Sequence, residues 1–189
     1  MKIKGKSKRI LLFVLAIVML CGMIPSNATV ANAATIATVS ISSLGRKGTV
    51  TIGSKTKSGT WWQMHLNGKK AFCINLGYTC HSGNTYAAEE THHWNQDTSG
   101  INGCYAKVIR WYVIAKKRSN KGFVMSQALI WSIAEGRTSE SQLKDVIKQV
   151  RERANLFSNK TVNELYSDIF QPSGEWTADI TFWKKTGNS

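Results

Sequence analysis

The chain has 189 residues, of which 25 are lysine or arginine and 11 are aspartate or glutamate, for a net charge of +14. This length suits one domain, or two closely packed subdomains, with a hydrophobic core of its own. The basic residues are scattered rather than gathered in a stripe, which argues against a nucleic-acid partner and favours a solvated basic surface that anionic polymers can attract.

The N-terminus, 1–33, reads as a secretory signal peptide. Five positive charges precede an apolar run that Pro25 ends, and an Ala-Asn-Ala triplet then supplies small residues for a signal peptidase. The apolar run is shorter than the roughly 20 residues of a membrane span. We therefore predict cleavage after Ala33, which removes Cys21 and exports a mature chain, 34–189. Its 20 basic residues face 11 acidic ones, so it stays basic at about +9.

The front half of the mature chain, 34–100, is predicted to be a β portion. Apolar and polar residues alternate there with the period of two that a half-buried strand requires. Asn67 and Gly68 are a strong hairpin-turn signal between two such strands. The return strand would carry Cys73 on its less apolar face.

The following stretch, 101–171, is predicted to be a helical portion of about four helices, since its apolar residues recur at three and four. The second helix contains Gln127, and Gly136 is its expected C-terminal stop. The third and fourth helices each begin with capping-box spacing, formed by Ser139 with Gln142 and by Thr161 with Glu164.

A closing strand is predicted at 175–184, because its apolar residues alternate. The residues of its apolar face are Trp176, Ala178, Ile180 and Phe182. The predicted fold class is therefore α+β: an antiparallel β portion, sandwich or barrel-like, takes up the closing strand and is joined to the helical portion.

Three cysteines remain in the mature chain, so one of them is unpaired within it. A disulfide between Cys80 and Cys104 would close a loop of about 25 residues and contribute roughly 3 kcal/mol. Pairing of Cys73 with Cys80 is the alternative. If Cys73 is the unpaired cysteine, it is either a reactive thiol or an inert buried one.

Three histidines follow Cys73 in a stretch predicted to be rich in loops: His81, His92 and His93. Their spacing with the cysteines matches no metal-ligand pattern, so neither a metal nor a cofactor is predicted. A secreted Cys-His hydrolase of cell-wall or peptide substrates remains an alternative, although its nucleophile is expected at a helix start rather than on a strand. A non-covalent, lectin-like binding module is a further alternative.

Two short stretches carry a resemblance to a known family. The residues around Cys73, "AFCIN", and those around Gln127, "SQALIW", resemble the two signature stretches of thioester domains on surface proteins and pilus-tip adhesins of Gram-positive bacteria. The order of elements in that family is similar along the whole mature chain. The family usually has Thr before the glutamine and Ala two residues after it, where this chain has Ser126 and Leu129.

The resemblance implies an internal thioester that joins Cys73 Sγ to Gln127 Cδ with loss of ammonia. Phe72, Trp131 and Ser126 would line the site, and apolar neighbours would keep water from the bond. If Gln127 lies near the start of its helix, backbone N–H groups there would stabilise the oxyanion. A histidine is a candidate general base, with the choice among them open.

The resemblance also implies what the protein does. The thioester would couple once to a lysine of a host extracellular protein, so the chain is predicted to be an adhesin module rather than an enzyme. It would be secreted and attached to the cell wall. The chain holds no sorting motif, and we therefore expect the anchor and further domains beyond Ser189.

Overall fold

In the described residues, five antiparallel strands form one sheet, in the order β3-β2-β1-β4-β5. The sequence had predicted a β portion that is sandwich or barrel-like. The computed structural model describes residues 35–78, 80–113 and 119–186, and the predicted leader lies outside them. The strands are β1 (Ile36–Ile52), β2 (Lys55–Leu66), β3 (Lys69–Ala71), β4 (Thr85–Asn95) and β5 (Thr177–Thr186). The closing strand β5 pairs with β4, as an antiparallel neighbour.

The turn between β2 and β3 has the predicted residues in the predicted conformation. Asn67 and Gly68 have φ angles of 47° and 77°, the left-handed backbone that a two-residue hairpin turn requires. However, β3 stops at Ala71, so the prediction that Cys73 lies on a strand is wrong. The backbone N–H and C=O of Cys73 bond to a helix side chain instead of a strand ladder.

Strand β4 lies inside the stretch between Cys80 and Cys104 that was predicted to be rich in loops. Its sequence, "TYAAEETHHWN", gives little apolar alternation, and Trp94 is its one fully buried residue. The pairing with β5 shifts register between Ala88 and Thr91, which breaks the period of two. His92 and His93 are therefore strand residues.

Four helices complete the described residues, and the predicted α+β class is confirmed. They are α1 (Gly100–Val113), α2 (Asn120–Ala134), α3 (Glu140–Arg153) and α4 (Val162–Phe170). Both predicted capping boxes are present at the starts of α3 and α4. Within these residues, no helix is long and apolar enough to cross a membrane.

Helix α2 is the centre of the core. All residues from Gly122 to Ile133 are buried, because α1, α3 and the sheet surround the helix. A smaller cluster joins α1 to the outer strands through Trp94, Ala106 and Trp176. The polar side chain of Gln127 thus lies on the most buried helix, where it needs hydrogen-bond partners.

Candidate functional site

The Gln127 side chain meets the backbone of Cys73, 54 residues earlier in the chain. Gln127 Nε2 donates to the Cys73 carbonyl oxygen at 2.6 Å, and the Cys73 backbone N–H donates to Gln127 Oε1 at 3.0 Å. Gln127 is 3% exposed. These reciprocal bonds satisfy the buried amide and hold it in one orientation beside the cysteine. The structure therefore brings the two predicted thioester residues together.

Gln127 lies in the middle of its helix, which corrects the expectation that backbone donors at a helix start polarise its carbonyl. Helix α2 begins after the N-cap Ser119, whose side chain accepts from Gly122 N, so its first turn is complete well before Gln127. The donor to Gln127 Oε1 is instead the backbone N–H of Cys73. That bond withdraws electron density from the amide carbonyl that the thiol would attack.

The Cys73 thiol is partly buried, and its Sγ donates to the Asn75 carbonyl oxygen at 3.3 Å. Burial raises the pKa of Cys73 above its ordinary value, because a thiolate loses hydration there. The backbone of Asn75, the side chain of Trp131 and the charge of Lys57 oppose this rise in part. The group is thus a neutral thiol at neutral pH.

The raised pKa gives a testable pH dependence. In a mature chain with Gln127→Met, Cys80→Ser and Cys104→Ser, Cys73 is the only thiol and cannot form a thioester. We expect its alkylation by iodoacetamide to reach half of its maximal rate at a higher pH than in the urea-unfolded chain, where that pH is about 8.5. Intact mass against time measures both profiles. A folded profile with its half-maximal rate at or below the pH of the unfolded one would contradict the assigned environment.

A cavity of about 330 Å³ opens beside Cys73 and Gln127. This volume is at the lower end of small-molecule sites, and an extended side chain of a partner fits such a space. Among the described residues, the walls carry four large aromatic side chains and one lysine. The wall includes the side chains of Lys57, Trp61, Trp62, Tyr78, His81 and Trp131.

Two of these tryptophans form a stack whose polar groups are unsatisfied. The rings of Trp61 and Trp131 lie 5.5 Å apart, and both residues are almost fully buried. The Trp61 indole N–H has no hydrogen-bond partner among the described residues, whereas that of Trp131 lies close enough to the Cys73 sulfur to lower the pKa of the thiol, without meeting hydrogen-bond geometry. Gly48 allows the close approach, since a Cβ there would lie 2.8 Å from Trp61 Nε1. An unpaired buried donor is costly, so the Trp61 indole N–H is an unfavourable feature of this wall.

Of the predicted lining residues, only Trp131 borders the cavity. Phe72 lies behind it, where its ring stacks on Phe123 at 4.8 Å and anchors the Cys73 segment to α2. Ser126 is fully buried, and its hydroxyl has no hydrogen-bond partner in the described part of the chain. These two side chains thus support the site from the core rather than line it.

The predicted disulfide between Cys80 and Cys104 is absent from the structure, in which both are free thiols. Cys80 borders the cavity and lies 3.7 Å from the Tyr86 hydroxyl, whereas Cys104 packs against the main core from α1. The unforeseen strand β4 runs between them in sequence and takes the chain to a different part of the fold. Cys73 is also free, and it shares the cavity with Cys80.

The histidines separate into two places. His81 borders the cavity. His92 stacks on Trp94, and His93 Nδ1 lies 2.6 Å from Asp179 on β5. No group of three or more potential metal ligands occurs within 35–78, 80–113 and 119–186.

Sequence reasoning missed most of the cavity wall. Trp61 and Trp62 stand out as a pair in the sequence, but their partners come from the Cys73 segment and α2. Comparison with known proteins gives no match to this chain, whether to a family model, a curated protein or a solved structure. The geometry of the site therefore carries the functional argument.

Proposed function

We propose that this chain is a covalent adhesion module whose Cys73 and Gln127 form an internal thioester. The observation that carries the proposal is the reciprocal hydrogen bonding of the buried Gln127 amide to Cys73, beside an open cavity. A glutamine buried mid-helix for structural reasons alone needs partners, but nothing requires them to belong to a cysteine with its own thiol in the same site. We propose further that the protein is exported and held at the bacterial surface.

Bond formation follows from this placement. The thiolate of Cys73 attacks Gln127 Cδ, the Cδ–Nε2 bond breaks, and ammonia leaves with the proton that the thiol released. Two groups that reach near-attack geometry gain about 7 to 11 kcal/mol over free reactants, and the Cys73 N–H, which already bonds to Gln127 Oε1, would stabilise the developing oxyanion. The buried Gln127 side chain and the packed rings of Trp61 and Trp131 limit the access of water to the thioester.

The coupling step releases the thiol. A lysine amine of a host extracellular protein enters the cavity and attacks Gln127 Cδ, the Cδ–Sγ bond breaks, and an amide forms while Cys73 regains a proton. Such a link does not dissociate, so an attached cell withstands a sustained pull that non-covalent contacts, ruled by their off-rate, do not. The reaction runs once per molecule, which distinguishes it from enzymatic turnover.

The alternatives are less well supported. A Cys-His hydrolase needs a histidine on the nucleophile, but the hydrogen bond of the Cys73 thiol goes to the Asn75 carbonyl, and no described histidine bonds to that sulfur. A purely non-covalent module would use the aromatic cavity without need of Cys73. Both remain distinguishable by experiment.

Incubation with methylamine tests the proposal. We expect an adduct on Gln127, about 14 Da above the sequence mass, because the amine replaces ammonia in the side-chain amide. Peptide mass spectrometry locates it, and incubation with host extracellular proteins should give a product stable on a denaturing gel. Cys73→Ala and Gln127→Met are the matched controls and should give neither product. Turnover of peptide or ester substrates that depends on Cys73, without an adduct, would select the hydrolase.

A further inference from the structure

The charge of the cavity wall restricts which amines enter it. Lys57 is the one permanently charged side chain among the described residues that border the cavity, and none of them is a carboxylate. No described carboxylate forms an ion pair with Lys57. The mouth of the site is therefore positive, although the proposed nucleophile arrives as a positive ammonium.

The charge of Lys57 borders the same cavity as Cys73 and Gln127. Lys57 and Trp61 are four residues apart on β2, and both border the cavity. Between them lies Gly59, where an added Cβ would meet nothing within 4 Å. The cavity wall between Lys57 and Trp61 is therefore free of side chains at Gly59. The same lysine lowers the pKa of Cys73 slightly, so its field reaches the sulfur.

We propose that the lysine coupled by this site is flanked in the partner by a carboxylate, which pairs with Lys57. This inference rests on the proposed thioester. A carboxylate beside the attacking lysine compensates the repulsion between its ammonium and Lys57, and it is drawn to the only unpaired cation on the described cavity wall. The amine then loses its proton to solvent and enters as the neutral nucleophile. The partner class is thus an acidic segment with an accessible lysine.

Two synthetic peptides with blocked N-termini test this assignment. Each has a single lysine, flanked by aspartates in one and by asparagines in the other. Adduct formation is followed by intact mass at low and high salt. We expect the wild type to couple about fivefold faster to the aspartate peptide at low salt, with the preference shrinking as salt rises.

Charge variants locate the source of the preference. Lys57→Met should abolish it and Lys57→Glu should invert it, while Lys69→Glu, the same charge change on exposed β3 outside the cavity, should retain it. An aspartate preference that survives Lys57→Glu, or that is absent from the wild type, would overturn the assignment. A wild type that couples to methylamine but shows no preference sinks this inference alone, whereas no methylamine adduct would contradict the proposed function itself.

Discussion

Truncation before Glu175 is expected to leave the mature chain largely unfolded at room temperature. The cut removes β5, which pairs with β4 along most of its length, and Trp176, which is 6% exposed and packs with Trp94 and Ala106. Truncating one buried tryptophan side chain alone costs about 3 to 5 kcal/mol, a large part of the 5 to 15 kcal/mol of a typical domain. Circular dichroism during a thermal melt measures the loss.

Truncation after Thr186 is the matched control, since it keeps all of β5 and should melt like the full chain. If the chain cut before Glu175 also melts like the full chain, β5 contributes nothing to the fold and its placement on β4 is wrong.

Phe123→Ala should lower the free energy of unfolding by about 3 to 5 kcal/mol. The ring is fully buried on α2, stacks on Phe72 at 4.8 Å and meets the edge of Tyr112. Removal leaves a cavity and frees Phe72, the residue next to Cys73, so the yield of thioester should fall as well. Urea unfolding followed by tryptophan fluorescence gives the first quantity, and intact mass gives the second.

Ile101→Ala on α1 serves as the control for Phe123→Ala, because Ile101 is half exposed and its truncation should cost much less. A loss below about 1 kcal/mol for Phe123→Ala would mean that the core around α2 does not hold the Cys73 segment.

Features set by local chemistry were predictable from the sequence. The Asn67-Gly68 turn and both capping boxes depend on a few neighbouring residues, and each is observed. The closing strand was predicted for the same reason, since all four residues of its alternating face pack in one cluster. The approach of Gln127 to Cys73 was predicted only through the resemblance of two short stretches, because no local pattern links residues 54 positions apart.

Features that depend on tertiary contacts were missed. Strand β4 is largely polar, and its residues show little apolar alternation. Its extended conformation depends on antiparallel pairing with β5, which is distant in sequence. The sequence left the start of α2 open, and the structure places it after the cap Ser119, well before Gln127. The cavity joins β2, the Cys73 segment and α2, and the role proposed for Lys57 depends on that assembly.

The intact mass of the purified mature chain tests the thioester most directly. We expect a mass about 17 Da below that of the sequence, since ammonia is lost when the thiol and the amide combine. Cys73→Ala and Gln127→Met should each restore the full sequence mass of the variant, and Lys69→Glu should keep the deficit. An unmodified wild-type mass, with Cys73 freely alkylated in the folded protein, would contradict the account.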